Sequence, residues 1–287
     1  MTVATDQAAS GAMWPLTETD IAAFWHDGYL RMPSITTQSE IAWMREAYDR
    51  LFKERRGWDK GDMFDFAGPD ELGGAVSVPQ LLNPSQHEPR LVNTEFRRNA
   101  LAVARQLLGP KAKLVFEHAM LKPALTGGKT PWHQDEAFYS KYTNYQSLTF
   151  WMPLQDVDRS NGCMEFIAGS HKGPLLQHHS INGDPRIHGL EADGINTALA
   201  VPCMLPAGGA SIHHRRTLHY AGPNHSAAPR RAYALGFGVR SRALTLREEH
   251  PWNSGRMTDR ERRERAGRSA AERLIAPIKS VAKSIFR

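Results

Sequence analysis

The feature that most limits how this chain can fold is a change of texture near residue 112. From there to residue 240, short β-rich runs alternate with Gly, Pro and Asn turns: "KLVFEHAMLKP", "SLTFWMPL", "GCMEFIAGS", "TALAVPCML", "GASIHHRRTLH" and "RRAYALGFGVR". Runs of this length and spacing predict a sandwich or barrel of antiparallel strands. Ahead of them the pattern is helical. "LTETDIAAFWHDGYLRMP" predicts a helix and then a strand, with Thr17 or Thr19 as cap, Ile21, Phe24 and Trp25 on one face, and Gly28 as the stop. "TTQSEIAWMREAYDRLFKERR" predicts a second helix with a Thr37–Glu40 capping box and a stripe of Ile41, Met44, Tyr48, Leu51 and Phe52. Residues 57–90, rich in Gly, Asp and Pro, are expected to be loop, placed to serve as a lid. "NTEFRRNALAVARQLLG" closes this part as a further helix. The expected organisation is a disordered leader over 1–15, one domain over 16–250 with helices packed on a double-sheet β core, and a basic helical tail over 251–287.

The charge pattern argues against a nucleic-acid groove. The formal net charge is +6, and residues 256–287 hold ten Lys/Arg against four Asp/Glu, so the whole excess lies in the tail. Mixed signs in "DRERRERAGRSAAERL" suit a solvated, exposed helix with i,i+4 pairs. Two cysteines, Cys163 and Cys203, provide neither a disulfide framework nor a Cys-rich zinc site. Both are read as buried small hydrophobes. No apolar run approaches the roughly 18 residues of a membrane span. "MTVATDQAASGAMWPL" lacks the basic start and apolar stretch of a secretory signal. The expected setting is the cytoplasm, as monomer or homodimer, with no nucleic-acid partner and no stable membrane insertion.

Within the β-rich part, "TPWHQDEAFY" places His133 and Asp135 at i and i+2. Successive strand side chains alternate faces, so the two point the same way. Imidazole plus carboxylate suits a borderline divalent metal. One further His would complete the 2-His-1-carboxylate facial triad of non-haem Fe(II) oxygenases. The candidates are His213, His214, His219 and His225. His219 fits best, because it ends a strand-like run just before the Gly222-Pro223-Asn224 turn, which folds Arg230 back beside it. A guanidinium there can grip a dicarboxylate co-substrate through two parallel hydrogen bonds. On the next strand Arg230, Ala232, Ala234, Gly236 and Gly238 share one face, leaving volume beside the guanidinium. Close packing against a neighbouring sheet would use the same small residues.

Four blocks, "LTETDIAAFWHDGYLRMP", "PWHQDEAFY", "FWMPLQDVDRSNGCMEFIAGSHKG" and "LHYAGPNHSAAPRR", occur in this order over residues 16–240 and resemble the phytanoyl-CoA dioxygenase family of Fe(II)/2-oxoglutarate oxygenases. The resemblance implies a mainly β fold with flanking helices and a double-stranded β-helix core, the cupin-like jelly roll. It implies Fe(II), 2-oxoglutarate and O2 as cofactors, with His133, Asp135 and His219 as iron ligands and Arg230 on the far carboxylate of 2-oxoglutarate. It further implies a co-substrate contact at Lys122, near the end of "FEHAMLKP", and a cavity wall at Trp151. Ala221 departs from the pattern, since some members carry there a Ser that helps bind the co-substrate; that hydrogen bond is in question. Family halogenases carry a small residue where Asp135 stands, so halogenation is disfavoured. The implied reaction oxidises a small organic molecule, by default through hydroxylation, with desaturation, epoxidation or ring closure as variants. It is coupled to decarboxylation of 2-oxoglutarate to succinate and CO2.

The other polar residues carry plainer expectations. His171 is read as a structural turn residue, Glu136 as structural, and His178, His179 and His188 as surface groups or substrate contacts. One of His213 and His214 must face inward, as support or substrate contact. The rival reading is a metal-binding β-sandwich without oxygenase activity, such as a cupin-like isomerase or a ligand-binding module. It uses the histidines and leaves Arg230 unexplained. No feature asks for a CoA thioester, so the expected substrate is a free small molecule, an intermediate of bacterial secondary metabolism.

Overall fold

A computed structural model of the chain describes residues 14–69, 76–139, 145–240, 250–254 and 257–266. Helices α1 (Glu18–Asp27), α2 (Gln38–Lys53) and α3 (Glu95–Leu108) come first, interleaved with strands β1 (Tyr29–Met32), β2 (Met63–Asp65) and β3 (Pro79–Leu82). Then follow β4 (Lys113–Lys122), β5 (Thr130–His133), β6 (Tyr145–Pro153), β7 (Met164–Ile167), β8 (His178–Ser180) and β9 (Leu190–Ala192). The described chain ends with β10 (Ala200–Cys203), β11 (Ala210–His214), β12 (His219–Ala221), β13 (Arg230–Arg240) and α4 (Asp259–Ala266).

The strands form a seven-stranded sheet, β1-β11-β6-β13-β4-β3-β2, a four-stranded sheet, β10-β7-β12-β5, and the separate pair β8-β9. All their pairings are antiparallel. The two larger sheets pack face to face through Trp151, Ala232 and Ala234 on one side and Phe166, Cys203 and Ala221 on the other. This is the double-sheet core of antiparallel strands that the spacing predicts, and the jelly roll that the family resemblance implies.

Alternation along each strand decides which layer a side chain enters. Phe150 of β6, Ile212 of β11 and Tyr233, Leu235 and Phe237 of β13 join Phe24, Tyr48 and Phe96 in the core under the helices. Each such buried side chain contributes about 1.5–3 kcal/mol. The intervening residues, Thr149, Trp151, His213, Arg230 and Ala234, line a cavity between the sheets. A one-residue slip of register would exchange the polar lining for the core, so burial of one face specifies the site. The small-residue face of β13 lines the cavity and also admits a ring from the adjacent strand β4 of its own sheet, rather than only packing against a neighbouring sheet. Ala234 opens the cavity, whereas a Cβ on Gly236 would lie 2.1 Å from the Phe116 ring that packs across it.

At α1, Thr17 and Asp20 cap reciprocally, and Gly28 ends the helix at φ 82°. At α2 the expected box does not close. Thr37 accepts from the Glu40 N–H, but the Glu40 carboxylate turns to the Thr36 hydroxyl at 2.7 Å and to the N–H groups of Glu95 and Phe96 at 2.6 and 2.9 Å. A carboxylate at the N-terminus of α3 meets unsatisfied donors and the positive end of the helix dipole, so Glu40 joins two helices instead of capping its own.

Residues 57–90 also differ from expectation. They contain β2 and β3, which pair with each other and widen the large sheet beyond β4. With three and four residues, and Pro79 opening the second, these strands are too short to show alternation. At the start of the chain, residues 1–13 of the expected leader lie outside the described residues. Trp14 and Leu16 are held to α3 by the Gln106 amide, at 2.9 and 2.8 Å.

The described part of the expected tail packs on the domain. Thr258 and Glu261 cap α4 reciprocally, a signature present in "TDRE". The Arg263 guanidinium donates to the Met63 carbonyl at 2.8 Å and lies over the Trp58 ring, as does that of Arg55. Trp252 donates to the Ala137 carbonyl at 3.0 Å, and Asn253 and Glu261 line one side of the cavity. The predicted i,i+4 pairing appears as Arg260–Glu264 at 3.6 Å. Among the described residues, no helix is long and apolar enough to cross a membrane.

Candidate metal centre and its cavity

The register of β12 on β5 sets His219 opposite His133, with ring centroids 4.1 Å apart. Gln134 is extended, at φ −120° and ψ 131°, so Asp135 returns to the face of His133 although it already opens a 3-10 turn. Gln134, buried on the other side, is fully engaged. Its amide donates to the Arg216 carbonyl at 2.8 Å and accepts from the Leu176 N–H at 2.8 Å, and its own N–H donates to His178 Nε2 at 3.2 Å. His178, expected at the surface or on substrate, is instead a buried acceptor that fixes the segment between the two donors. Burial lowers its pKa to about 4, keeping the acceptor nitrogen free of a proton.

One donor atom each from His133, Asp135 and His219 lie within 4.8 Å of one another. Asp135 Oδ1 stands 3.4 Å from His219 Nε2 and 3.8 Å from His133 Nε2. Metal–nitrogen bonds of about 2.1 Å place adjacent donors about 3 Å apart, so the cluster can close on one ion with small side-chain adjustments. The tautomers suit this. His133 Nδ1 donates to the Pro131 carbonyl at 2.7 Å and His219 Nδ1 to the Thr217 carbonyl at 2.9 Å, leaving both Nε2 lone pairs for the centre. Burial, reinforced by His219, pushes the His133 pKa down to about 3. For Asp135, burial alone would raise the pKa, but His219 and His213 outweigh it and hold the carboxyl well below its usual range. Neutral imidazole and ionised carboxylate are the states that metal binding requires.

Two residues beyond the triad touch the same carboxylate. Thr149 Oγ1 donates to Asp135 Oδ2 at 2.7 Å, and His213 Nε2 lies 3.3 Å from that oxygen. His213 is thus the inward-facing member of its pair. Thr149 escaped the sequence reading; its only signal was its place between Leu148 and Phe150 on an alternating strand.

Arg230 opens β13 and is 2% exposed, with Nε and Nη1 unpartnered. Its guanidinium carbon sits 5.4 Å from the Trp151 ring centroid, within cation–π range. Burial lowers its pKa to about 10, so it remains charged at neutral pH. A buried cation without a carboxylate is unfavourable by several kcal/mol. These orphaned donors fit a carboxylate-bearing co-substrate. Asn224 holds the turn between His219 and Arg230, donating to the Pro123 and Ala228 carbonyls at 3.0 and 2.8 Å.

Lys122 pairs with Arg230 in register but does not line the cavity. In place of the expected co-substrate contact, its buried amine donates to the carbonyls of Ala221 and Gly222, at 2.7 and 2.5 Å. Burial, and then the charge of Arg230, push its pKa far down. Lys122 therefore fastens β4 to the end of β12, holding together the strands that carry Arg230 and His219.

The cavity measures about 490 Å³. Beyond the triad and Arg230 it is walled by Phe66, Phe116 and Phe138, with Gln80, His118 and His188 as polar groups. His171 and Glu136 are structural, as read. His171 Nε2 lies 3.2 Å from the Trp25 carbonyl oxygen, and Glu136 pairs with Arg215 and Arg216 at 2.8 and 2.7 Å. His179 pairs with Asp193 at 3.1 Å near the surface.

Three histidines outside the triad should make the fold acid-sensitive. Burial lowers the pKa of His118 and His178 to about 4 and that of His214 to about 3. Their unfolded-state pKa is about 6.5, so as pH falls the unfolded chain takes up protons first. Stability is therefore complete above about pH 6.5 and lost progressively towards pH 4. Each group accounts for about 1.4 kcal/mol at pH 5.5. Urea midpoints of the metal-free protein at pH 7.5 and 5.5 should differ accordingly, and His178→Gln should shrink the difference; equal midpoints at the two pH values would contradict this.

Two imidazoles, a carboxylate and a buried unpaired guanidinium in a jelly-roll cavity define the class of non-haem iron oxygenases that use a keto-diacid co-substrate. Residues 24–232 match the family model Phytanoyl-CoA dioxygenase (PhyH), and the chain belongs to that family. Fe(II), 2-oxoglutarate and O2 are the cofactors expected for this family, and the three-donor group here fits the metal. The chain is 34% identical over 139 residues to a probable alpha-ketoglutarate-dependent hypophosphite dioxygenase of Stutzerimonas stutzeri, a match covering 47% of this chain and 48% of that one. It is 24% identical over 220 residues to the peroxisomal phytanoyl-CoA dioxygenase of Bos taurus, covering 74% and 65%. The chain thus spans about half to two thirds of the length of these two curated relatives. Among solved structures, EvdO2 from Micromonospora carbonacea var. aurantiaca superposes with a TM-score of 0.71 at 33% identity, covering 84% of this chain and 98% of that one. EvdO2 complexed with 2-oxoglutarate gives 0.69 with the same identity and coverage.

Proposed function

We propose that this protein hydroxylates a free small organic molecule, consuming 2-oxoglutarate and O2 and releasing succinate and CO2, with His133, Asp135 and His219 holding Fe(II). The observation that carries this reading is that the three donors and the unpartnered Arg230 guanidinium open into one cavity. Bound iron and 2-oxoglutarate supply the O2 activation and the oxidising power. The chain supplies binding, orientation and exclusion of water. Arg230 offers its two free nitrogens to the far carboxylate of 2-oxoglutarate, and Trp151 flanks that end. Phe66, Phe116 and Phe138 make the substrate end apolar, while Gln80 and neutral His118 supply hydrogen bonds that orient the substrate. Asn253 and Glu261 line one side of the cavity.

Arg230 is the sole Lys or Arg among the described residues lining the cavity, and we assign it to the co-substrate. Among the described residues no second Lys or Arg lines the cavity for the phosphates of a CoA ester, although Arg260 acts on His118 in its wall, and we read this lining as suited to a free molecule, of the kind made in secondary metabolism. The test is succinate release with Fe(II), ascorbate and 2-oxoglutarate over a panel of free small molecules and acyl-CoA thioesters. Stimulation by free molecules is expected; stimulation confined to thioesters would overturn the substrate assignment. Failure of 2-oxoglutarate to bind the metal-loaded protein in calorimetry would instead favour a metal-binding module without oxygenase activity.

A further inference from the structure

We propose that Thr149 and His213 form a positioning pair that holds Oδ2 of Asp135, so that this carboxylate meets its metal through Oδ1 alone. The inference rests on the assignment of Asp135 as a metal ligand and adds two residues to that centre.

The two oxygens of Asp135 have different surroundings. Oδ1 faces the Nε2 atoms of both triad histidines, at 3.4 and 3.8 Å. Oδ2 accepts the Thr149 hydroxyl at 2.7 Å and has His213 Nε2 at 3.3 Å. His213 is 2% exposed, yet neither ring nitrogen has a hydrogen-bond partner, so the 3.3 Å contact is close but not aligned. A buried imidazole without a partner is unfavourable and needs a reason in a native structure. Its nearest polar neighbour supplies one. A small rotation of the carboxylate towards an ion at Oδ1 can bring Oδ2 into line with a His213 Nε2–H.

His213 stands outside the three-donor group and meets the carboxylate at Oδ2, whereas His133 and His219 make their shortest contacts with Oδ1. This favours a hydrogen-bond donor over a fourth ligand. The ring has little freedom, lying with its centroid 4.3 Å from that of His219 and 5.4 Å from that of Phe166. Adjacent strands supply both members. The register of β11 on β6 sets His213 beside Thr149, and both side chains point inward by alternation. Two donors on Oδ2 would restrain the carboxylate from swinging to bring both oxygens to a metal held by His133, Asp135 and His219. Partners of this kind typically change metal affinity by about 10–100-fold.

The test uses Co(II) as probe, in the full chain without 2-oxoglutarate. His213→Phe keeps the ring packing and removes the donor; His213→Gln keeps a donor; Thr149→Val removes the hydroxyl from the same oxygen. The proposal expects His213→Phe and Thr149→Val each to weaken Co(II) binding about 10–100-fold. His213→Gln should recover most of that loss. The visible spectrum of each Co(II)-saturated variant should match the parent, because the donor set is unchanged, and the metal-free melting temperatures should stay close to the parent. Unchanged affinity in both His213→Phe and Thr149→Val overturns the proposal. So does a saturated His213→Phe spectrum showing one imidazole donor lost, which would make His213 a ligand. If the parent binds no Co(II), the ligand assignment itself fails, an outcome distinct from either.

Discussion

Replacing Asp135 with alanine is expected to lower 2-oxoglutarate-dependent succinate release by at least about 10³-fold, a loss larger than the 10–100-fold typical of partners outside the coordination sphere. Asp135 is the anionic member of the three-donor group, and its Oδ1 lies between the two Nε2 atoms. Without it, two neutral imidazoles remain, and neither compensates the charge of a divalent ion. The fold should tolerate the change. The Asp135 side chain is 18% exposed, faces the cavity, and contacts histidines rather than a permanent cation. Removing it leaves the Thr149 hydroxyl free, a cost of about 1 kcal/mol. The checks are succinate release, Co(II) affinity and melting temperature of the metal-free variant. Full turnover in Asp135→Ala would remove the carboxylate from the ligand set; lost turnover with a collapsed melting temperature would show a structural cause instead. Asp135→Glu separates charge from placement. Its carboxylate reaches one methylene further, past the Thr149 hydroxyl, so metal binding should survive in part while turnover stays low.

The legible part of this protein is whatever alternation alone determines. On β13, Tyr233, Leu235 and Phe237 enter the helix-side core while Arg230 and Ala234 reach the cavity, as the two faces of "RRAYALGFG" foretell. His133 and Asp135 share a face for the same reason, as i and i+2, whereas His219 meets them through the β12–β5 register and the turn after it returns Arg230 beside it. What stayed hidden depends on partners distant in sequence. A Lys at a strand end reads alike whether its amine meets a ligand or, as in Lys122, two backbone carbonyls. Glu40 sits three residues after Thr37, which satisfies the capping-box pattern, yet its carboxylate serves a helix that begins at Glu95. Thr149 and His213 meet at Asp135 only through the β6–β11 register, for which neither segment carries a local signal. The C-terminal "TDRE" was readable as a cap, but its docking beside the cavity follows from packing against β2 and Trp58.

Replacing Arg230 with methionine should raise the 2-oxoglutarate KM by about 100-fold or more, and should at the same time leave the metal-free protein equally or more stable. The first effect follows from losing a two-pronged, charge-assisted grip in a water-poor site, where hydrogen bonds to charged groups each contribute about 1.5–3 kcal/mol. The second follows from burial. Arg230 is 2% exposed with two unpartnered nitrogens, and Lys122, its register neighbour, is a second buried amine with no carboxylate. Exchanging a buried unpaired cation for an apolar chain of similar length removes a desolvation penalty and keeps the contact with Trp151. Most substitutions at a residue this buried destabilise, so the combination of weaker co-substrate binding and an unlowered melting temperature is a specific signature. Ligand linkage sharpens it. Saturating 2-oxoglutarate at 100 times its Kd stabilises the metal-loaded parent by about 2.7 kcal/mol, and the same concentration should scarcely move Arg230→Met. Arg230→Lys should fall between them, since an ammonium restores charge without the planar fork. Unchanged 2-oxoglutarate affinity in Arg230→Met would place the distal carboxylate elsewhere. A metal-free melting temperature several degrees below the parent would mean that the guanidinium has a partner in the folded protein after all.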